Sequence, residues 1–419
     1  MIDSSLHFIA ENQPPIRFET VKSKPIKYPE IYRNMISVDV IHDGCYIPPK
    51  YLSDSEGNPF DQEIIQRSFQ IERDWGANMV ARRIAESLGL DGFTTVNTAR
   101  CLLDFGRFPG STRGNATHLG RFAINYPYSS LLDFYQKRTL LSEHYDQISK
   151  MMDKTLEGKL LKIAIHTYDQ YNESGTERPH VSLVTRTLEY QMESRMPLGV
   201  FDPLYPDILA EFTVDRVLRD RISLTLEKNN IPVAHNYPYL LPEGSTEVRH
   251  QVWRFFNWLH HRFERDYPEI KGDPAYDRVW EMLKDTNLRS ARAGELRSVL
   301  HMYREPPRET AGLYEYIIDA YRNIFLFVSK DNRKIIEEYR RSPMRCMSMG
   351  IEIRKDLVWN FDESGRPISP NPEFGLFIAE KIADAVGTYF SEDRSEMGRK
   401  PNKQDHWFLP ASSTTFSPI

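Results

Sequence analysis

Two short β-branched runs each end in a histidine, and this feature narrows the fold of the 419-residue chain more than any other. The first is Ile36-Ser37-Val38-Asp39-Val40-Ile41-His42, with Asp43-Gly44 and the Pro48-Pro49 pair behind it. The second is Leu161-Lys162-Ile163-Ala164-Ile165-His166, followed by Thr167. Runs of this kind read as strands, and the glycine and prolines after the first stop it. In an open α/β sheet, ligands bind beyond the carboxyl ends of the strands. Two strand-terminal histidines are therefore expected to face one crevice. Imidazole is the commonest metal ligand among side chains, so the pair points to a metal site. The alternative is that each ring is simply bonded to nearby backbone.

The rest of the chain supports the same class. Residues 61–89 carry apolar positions at three- and four-residue spacing and read as a helical stretch. Residues 93–104 read as one strand or two short ones, 128–160 and 205–229 as helical, and 231–236 as a short strand entering a proline turn. Strands alternating with helices predict a mixed, largely parallel α/β sheet flanked by helices. From 246 to 341 the pattern is almost wholly helical. A strand returns at 347–353 and a last helix at about 374–390. The expected organisation is an irregular N-terminal arm over 1–35, an α/β catalytic domain over 36–245 plus 342–390, a helical insertion over 246–341, and a flexible tail over 391–419.

Composition excludes several partners. The chain carries a net charge of −5, so it offers no basic field to a nucleic acid. No run of about 18 apolar residues is present, and no membrane span is expected. The start, Met1-Ile2-Asp3-Ser4-Ser5, is neither basic nor followed by a long apolar core, so no signal peptide is expected. Three widely spaced cysteines, Cys45, Cys101 and Cys346, form no CxxC pair. They suggest a reduced, cytoplasmic setting and no thiolate zinc site.

A hydrolytic zinc ion takes three protein ligands and leaves a position for water. His42 and His166 are the first two candidates. The position three beyond His42 is Cys45, so a His-x-x-Glu pattern fails. Asp43 is adjacent, but neighbouring side chains on a strand diverge. Asp74 opens a helix near the sheet edge, where it reads equally as a helix cap. Arg100 and Arg107 flank Asp104. They suit bidentate capture of a substrate carboxylate, or an ion pair that fixes a loop. Glu352 interrupts an apolar strand. It is either a buried carboxylate of raised pKa, suited to act as a general base, or a solvent-facing residue of an alternating strand. Asn236 and Tyr239 follow a strand in Asn236-Tyr237-Pro238-Tyr239. They are candidates to bind substrate and to cover the site; the turn is otherwise an ordinary proline turn. Arg178 and the Thr185-Arg186 pair are further candidates for anion contacts.

Taken in order, these pieces resemble the N-formylglutamate amidohydrolase family, whose fold is similar to that of zinc carboxypeptidases and aspartoacylases. The resemblance rests on His42-Asp43-Gly44-Cys45-Tyr46-Ile47-Pro48, on Asp74-Trp75-Gly76-Ala77, on Ala99-Arg100-Cys101-Leu102-Leu103-Asp104-Phe105-Gly106-Arg107, on Ala164-Ile165-His166-Thr167, on Asn236-Tyr237-Pro238-Tyr239, and on Gly350-Ile351-Glu352-Ile353-Arg354. It covers roughly 36–245 and 345–390. It implies a phosphorylase/hydrolase-like fold, zinc on His42 and His166, and an acidic third ligand, for which Asp74 is the choice and Asp43 the reserve. It implies that Arg107 holds the substrate's carboxylate, with Arg100 beside it, and that Glu352 is the general base.

Four positions depart from the family's pattern. Gly106 stands in place of asparagine, Ala164 of aspartate, Ala99 of serine and Gly350 of glutamine. The expectation is therefore a zinc-dependent amidohydrolase acting on a substrate other than formylglutamate: an N-acyl amino acid or small peptide-like molecule with an anionic end. Two rival readings are a relative that works as a binding or regulatory protein through its helical insertion, and a carboxypeptidase-like enzyme acting on peptide termini. Association into a homo-oligomer is left open.

Overall fold

The computed structural model describes residues 6–111, 122–187 and 202–393, apart from positions 243, 288, 307, 309, 310 and 343. Seven strands form its main sheet: β1 (Ile16–Thr20), β2 (Ile36–Val40), β3 (Gly92–Val96), β4 (Leu161–Tyr168), β5 (Val181–Val184), β6 (Val233–His235) and β7 (Met347–Arg354). Their spatial order is β1-β3-β2-β4-β7-β5-β6. The pairs β3–β2, β2–β4, β4–β7 and β5–β6 are parallel. The edge strand β1 runs antiparallel to β3, and β5 runs antiparallel to β7. The sheet is thus mixed and mostly parallel, as the alternation of strands and helices predicts.

Residue alternation explains how the sheet is covered. Ile36, Val38 and Val40 of β2, Leu161, Ile163 and Ile165 of β4, and Met347, Met349, Ile351 and Ile353 of β7 share one core. The apolar sides of the helices Ala77–Ser87, Arg216–Glu227 and Pro372–Thr388 join that core. Successive side chains on a strand face opposite ways, so Asp39, Lys162, Ala164, His166, Ser348, Gly350 and Glu352 lie on the other face. That face is also covered. Lys162 is fully buried, with its Nζ 3.0 Å from Asp39 and 2.7 Å from Glu247 in the first turn of the helix Thr246–Asp266. Gln251, one turn further on, donates to the Thr213 carbonyl and to Ser348.

Strand order sets the position of the crevice. From β2 the chain moves to β3 on one side, then crosses to β4 on the other. The carboxyl ends of β2 and β4 therefore flank a topological switch point, the place where open α/β sheets bind ligands.

Several expectations are corrected here. The arm over 1–35 is not wholly irregular, because Ile16–Thr20 is an edge strand paired along its length with β3. The stretch 61–89 is two helices, Gln62–Glu72 and Ala77–Ser87, separated by a break at 73–76. Gly76 turns that break with φ 87°, a backbone conformation that glycine adopts without penalty. The strand expected over 93–104 ends at Val96, and the chain continues as a loop. Between 246 and 341 the described elements are helical, chiefly Thr246–Asp266, Pro274–Lys284, Ala291–Leu300, Ala311–Lys330 and Asn332–Arg341. Their apolar residues pack into a core separate from that of the sheet. No helix among the described residues is long and apolar enough to cross a membrane. The tail beyond 393 lies outside the described residues.

Candidate metal centre

His42 lies two residues beyond the end of β2, and His166 lies near the end of β4. The strands are adjacent, and the two imidazole rings come within 4.9 Å of each other, centroid to centroid. Glu352 of β7 is the register partner of His166 on the other side. Three neighbouring strands thus deliver two imidazoles and a carboxylate to one edge of the sheet.

Asp74 completes the group from the break between the two helices. Its backbone N–H donates to the His42 carbonyl at 3.0 Å, tying the break to the end of β2. Its side chain does not cap the following helix, whose N-cap is Gly76. Instead its Oδ2 lies 3.1 Å from Nδ1 of His166 and 3.4 Å from Nδ1 of His42. Its Oδ1 accepts from Arg100 at 2.9 Å. Asp74 is 1% exposed. One ligand atom each from His42, Asp74 and His166 lies within 4.8 Å of the other two. Asp43, the reserve third ligand, is turned elsewhere. It accepts from Nε of Arg73 at 2.7 Å and from the backbone N–H of Asn78 at 2.8 Å.

A further carboxylate stands behind His42. Asp104 Oδ1 lies 2.8 Å from His42 Nε2 and accepts from the Gly106 N–H at 3.0 Å. Its Oδ2 receives Arg100 at 3.1 Å and Arg107 at 2.9 Å. The Arg100 and Arg107 guanidiniums are thus both paired with buried carboxylates. Sequence reasoning read Asp104 only as a partner of arginine. Its bond to His42 depends on how the loop after β3 folds back, which spacing alone does not reveal. A Cβ at Gly106 would lie 3.2 Å from His42 Nε2 and 3.3 Å from Asp104 Oδ1. The smallest residue thus sits where a side chain would press on the His42–Asp104 pair.

Burial and charge set the ionisation of these groups. Burial works against the Asp74 carboxylate, but Arg100 and the bonds to both histidines hold it well below the usual range. Burial likewise opposes the charge on Asp104, and His42 and both arginines outweigh it, so its pKa is also well lowered. Burial disfavours the His166 cation; the Asp74 bond and the Glu352 charge more than compensate and raise its pKa to about 9. Glu352 moves opposite to the other two carboxylates, Asp74 and Asp104. Burial pushes its pKa up, with the Asp74 charge adding to the effect.

Asn236 and Tyr239 follow β6, whose carboxyl end, like that of β5, points the opposite way from those of β2, β4 and β7. The Asn236 side-chain oxygen accepts from the backbone N–H groups of Thr185 at 2.7 Å and Arg186 at 3.0 Å. It therefore ties the turn after β6 to the end of β5. Arg186 itself pairs with Glu211. Tyr239 remains 45% exposed. Its hydroxyl lies within electrostatic reach of Arg178, Glu352 and Arg100.

No protein-family model matches the chain, and no curated protein matches it. Among solved structures it is similar to an N-formylglutamate amidohydrolase from Ralstonia eutropha, at 12% identity and a TM-score of 0.47 over 91% of this chain and 100% of that one. It is also similar to a gene product of Agrobacterium tumefaciens, at 15% identity and a TM-score of 0.43 over 91% of this chain and 98% of that one.

Proposed function

We infer that the chain is a zinc-dependent hydrolase that cleaves an amide bond in an N-acyl amino acid or small peptide-like substrate with an anionic end. The observation that carries this reading is the convergence of both Nδ1 atoms, of His42 and His166, on one oxygen of Asp74. Two imidazoles and a carboxylate are a donor set that suits zinc at a hydrolytic centre. A zinc ion bound there supplies Lewis acidity, acidifying water and polarising a carbonyl.

The surrounding residues have definable tasks. Arg100 occupies Oδ1 of Asp74 and leaves Oδ2 for the metal. Asp104 occupies Nε2 of His42 and leaves Nδ1. Partners of this kind fix tautomer and ring orientation. Glu352 makes no side-chain hydrogen bond among the described residues, and its pKa is raised by burial. It takes a proton from the attacking water onto a carboxylate oxygen and passes it to the nitrogen of the leaving amine. A base whose pKa has moved towards neutrality can do both. The carbonyl carbon gains the water oxygen, the C–N bond breaks, and an acid and an amine leave.

The test is an amidase assay over a panel of N-acyl amino acids and short peptides. Hydrolysis should be lost when a chelator removes zinc and return when zinc is restored. Undiminished hydrolysis by zinc-free protein, or no hydrolysis of any panel member by the zinc-loaded protein, would overturn the reading.

A further inference from the structure

The expected anion-holding arginines are already engaged. Arg107 is paired with Asp104, and Arg100 is shared between Asp74 and Asp104. A substrate carboxylate approaching them would meet charge already neutralised by buried oxygens. Two further cations are also paired: Arg354, at the carboxyl end of β7, with Glu177 and Asp356, and Arg186, beyond the carboxyl end of the antiparallel β5, with Glu211.

Arg178 differs. Its guanidinium carbon lies 5.3 Å from the centroid of the Tyr168 ring and 5.4 Å from that of Tyr239, so it is in contact with two aromatic rings. Both distances are within cation–π range. One terminal nitrogen donates to the Asp169 carbonyl at 3.3 Å, while Nε is buried without an acceptor. Among the described residues no carboxylate forms an ion pair with it. Tyr168 lies two residues beyond His166 on the same strand and the same face, and it is itself within electrostatic reach of Glu352. Tyr239 is within reach of Glu352 and Arg100. The Arg178 cation therefore stands at the rim of the centre built from His42, Asp74 and His166.

We propose that Arg178, held by Tyr168 and Tyr239, binds the carboxylate of the amino-acid part of the substrate. This assignment rests on the amide-hydrolase reading. A guanidinium matches a carboxylate with two parallel N–H···O bonds. Contact with two rings restricts the guanidinium plane and so selects a planar anion over a neutral group. Lysine, a point charge on a flexible stem, does not reproduce that fit. The half-exposed Tyr239 ring covers the bound end of the substrate.

The experiment uses the zinc-loaded full chain and paired probes: a panel of N-acetyl-amino acids, each with its neutral carboxamide. Arg178→Gln should raise KM for the acids about 10- to 100-fold, with kcat and KM for the carboxamides nearly unchanged. Arg178→Lys should recover only part of the loss, and zinc content should match the wild type. An equal loss on acids and carboxamides, no loss at all, or the same selective loss in Arg107→Gln but not in Arg178→Gln would overturn the assignment. If the wild type hydrolyses no probe, the amide-hydrolase reading fails. Equilibrium binding of acid against carboxamide to wild type and Arg178→Gln then decides the anion site separately, and equal affinity of wild type for both overturns it.

Discussion

Asp104 holds His42 by its Nε2 at 2.8 Å, and that bond fixes which nitrogen of the ring faces Asp74. A single buried carboxylate thus connects two arginines, a loop N–H and a histidine of the candidate metal centre. Asp104→Ala should weaken zinc binding by about 10- to 100-fold, the usual effect of losing such a partner. Competition with a chromogenic chelator measures it. Asp104→Asn should lose less, because its amide oxygen still accepts from the ring. Unchanged affinity in both variants would remove Asp104 from the account.

Glu352→Gln separates chemistry from metal binding. The side chain keeps its size but can no longer accept the proton of water. Turnover should fall about 10²- to 10⁴-fold, with one zinc still bound per chain. Steady-state kinetics beside metal analysis checks both halves.

Zinc affinity should depend on pH in a defined direction. In the metal-free protein the His166 pKa is raised to about 9. Its protonated form therefore stabilises that state fully below about 6.5, the unfolded value, and the contribution is lost as pH rises through about 9. A metal ligand must be unprotonated. Each zinc bound at pH 7 should then release about one proton, and affinity should rise about tenfold per pH unit until it levels off near pH 9. Titration calorimetry in buffers of different ionisation enthalpy reads the proton directly.

Lys162 tests the buried layer beneath the site. Lys162→Met would leave Asp39 and Glu247 facing each other without a cation. Breaking a buried ion pair on one side costs about 3–5 kcal/mol, so the midpoint of denaturant unfolding should drop markedly. Lys162→Met combined with Glu247→Leu should recover part of the loss, since the second change removes one stranded charge.

The elements best legible in the sequence are those whose own side chains decide their state. β2, β4 and β7 are β-branched or apolar runs buried on both faces, and both strand-end histidines could be read from them. β1 and β5 were not legible. Ile16–Thr20 is an edge strand with mostly exposed side chains, and Val181–Val184 is four residues long. Their pairing partners, rather than their own residues, make them strands. The same limit applies to the site. Asp74 reads as a helix cap because helix-opening aspartates usually are. Only the break at Gly76 and the closeness of both imidazoles turn it towards His42 and His166. The Asn236 oxygen is committed to the N–H groups of Thr185 and Arg186, a role that follows from β5 and so could not be read without it.

Zinc stoichiometry tests the central claim most directly. Metal analysis of the purified full chain, dialysed against zinc and then against metal-free buffer, should give one zinc per wild-type chain and none for His166→Ala, with Arg178→Gln indistinguishable from wild type. A wild-type chain that retains no zinc, or a His166→Ala chain that retains one equivalent, would contradict the assignment of His42, Asp74 and His166 as a metal centre.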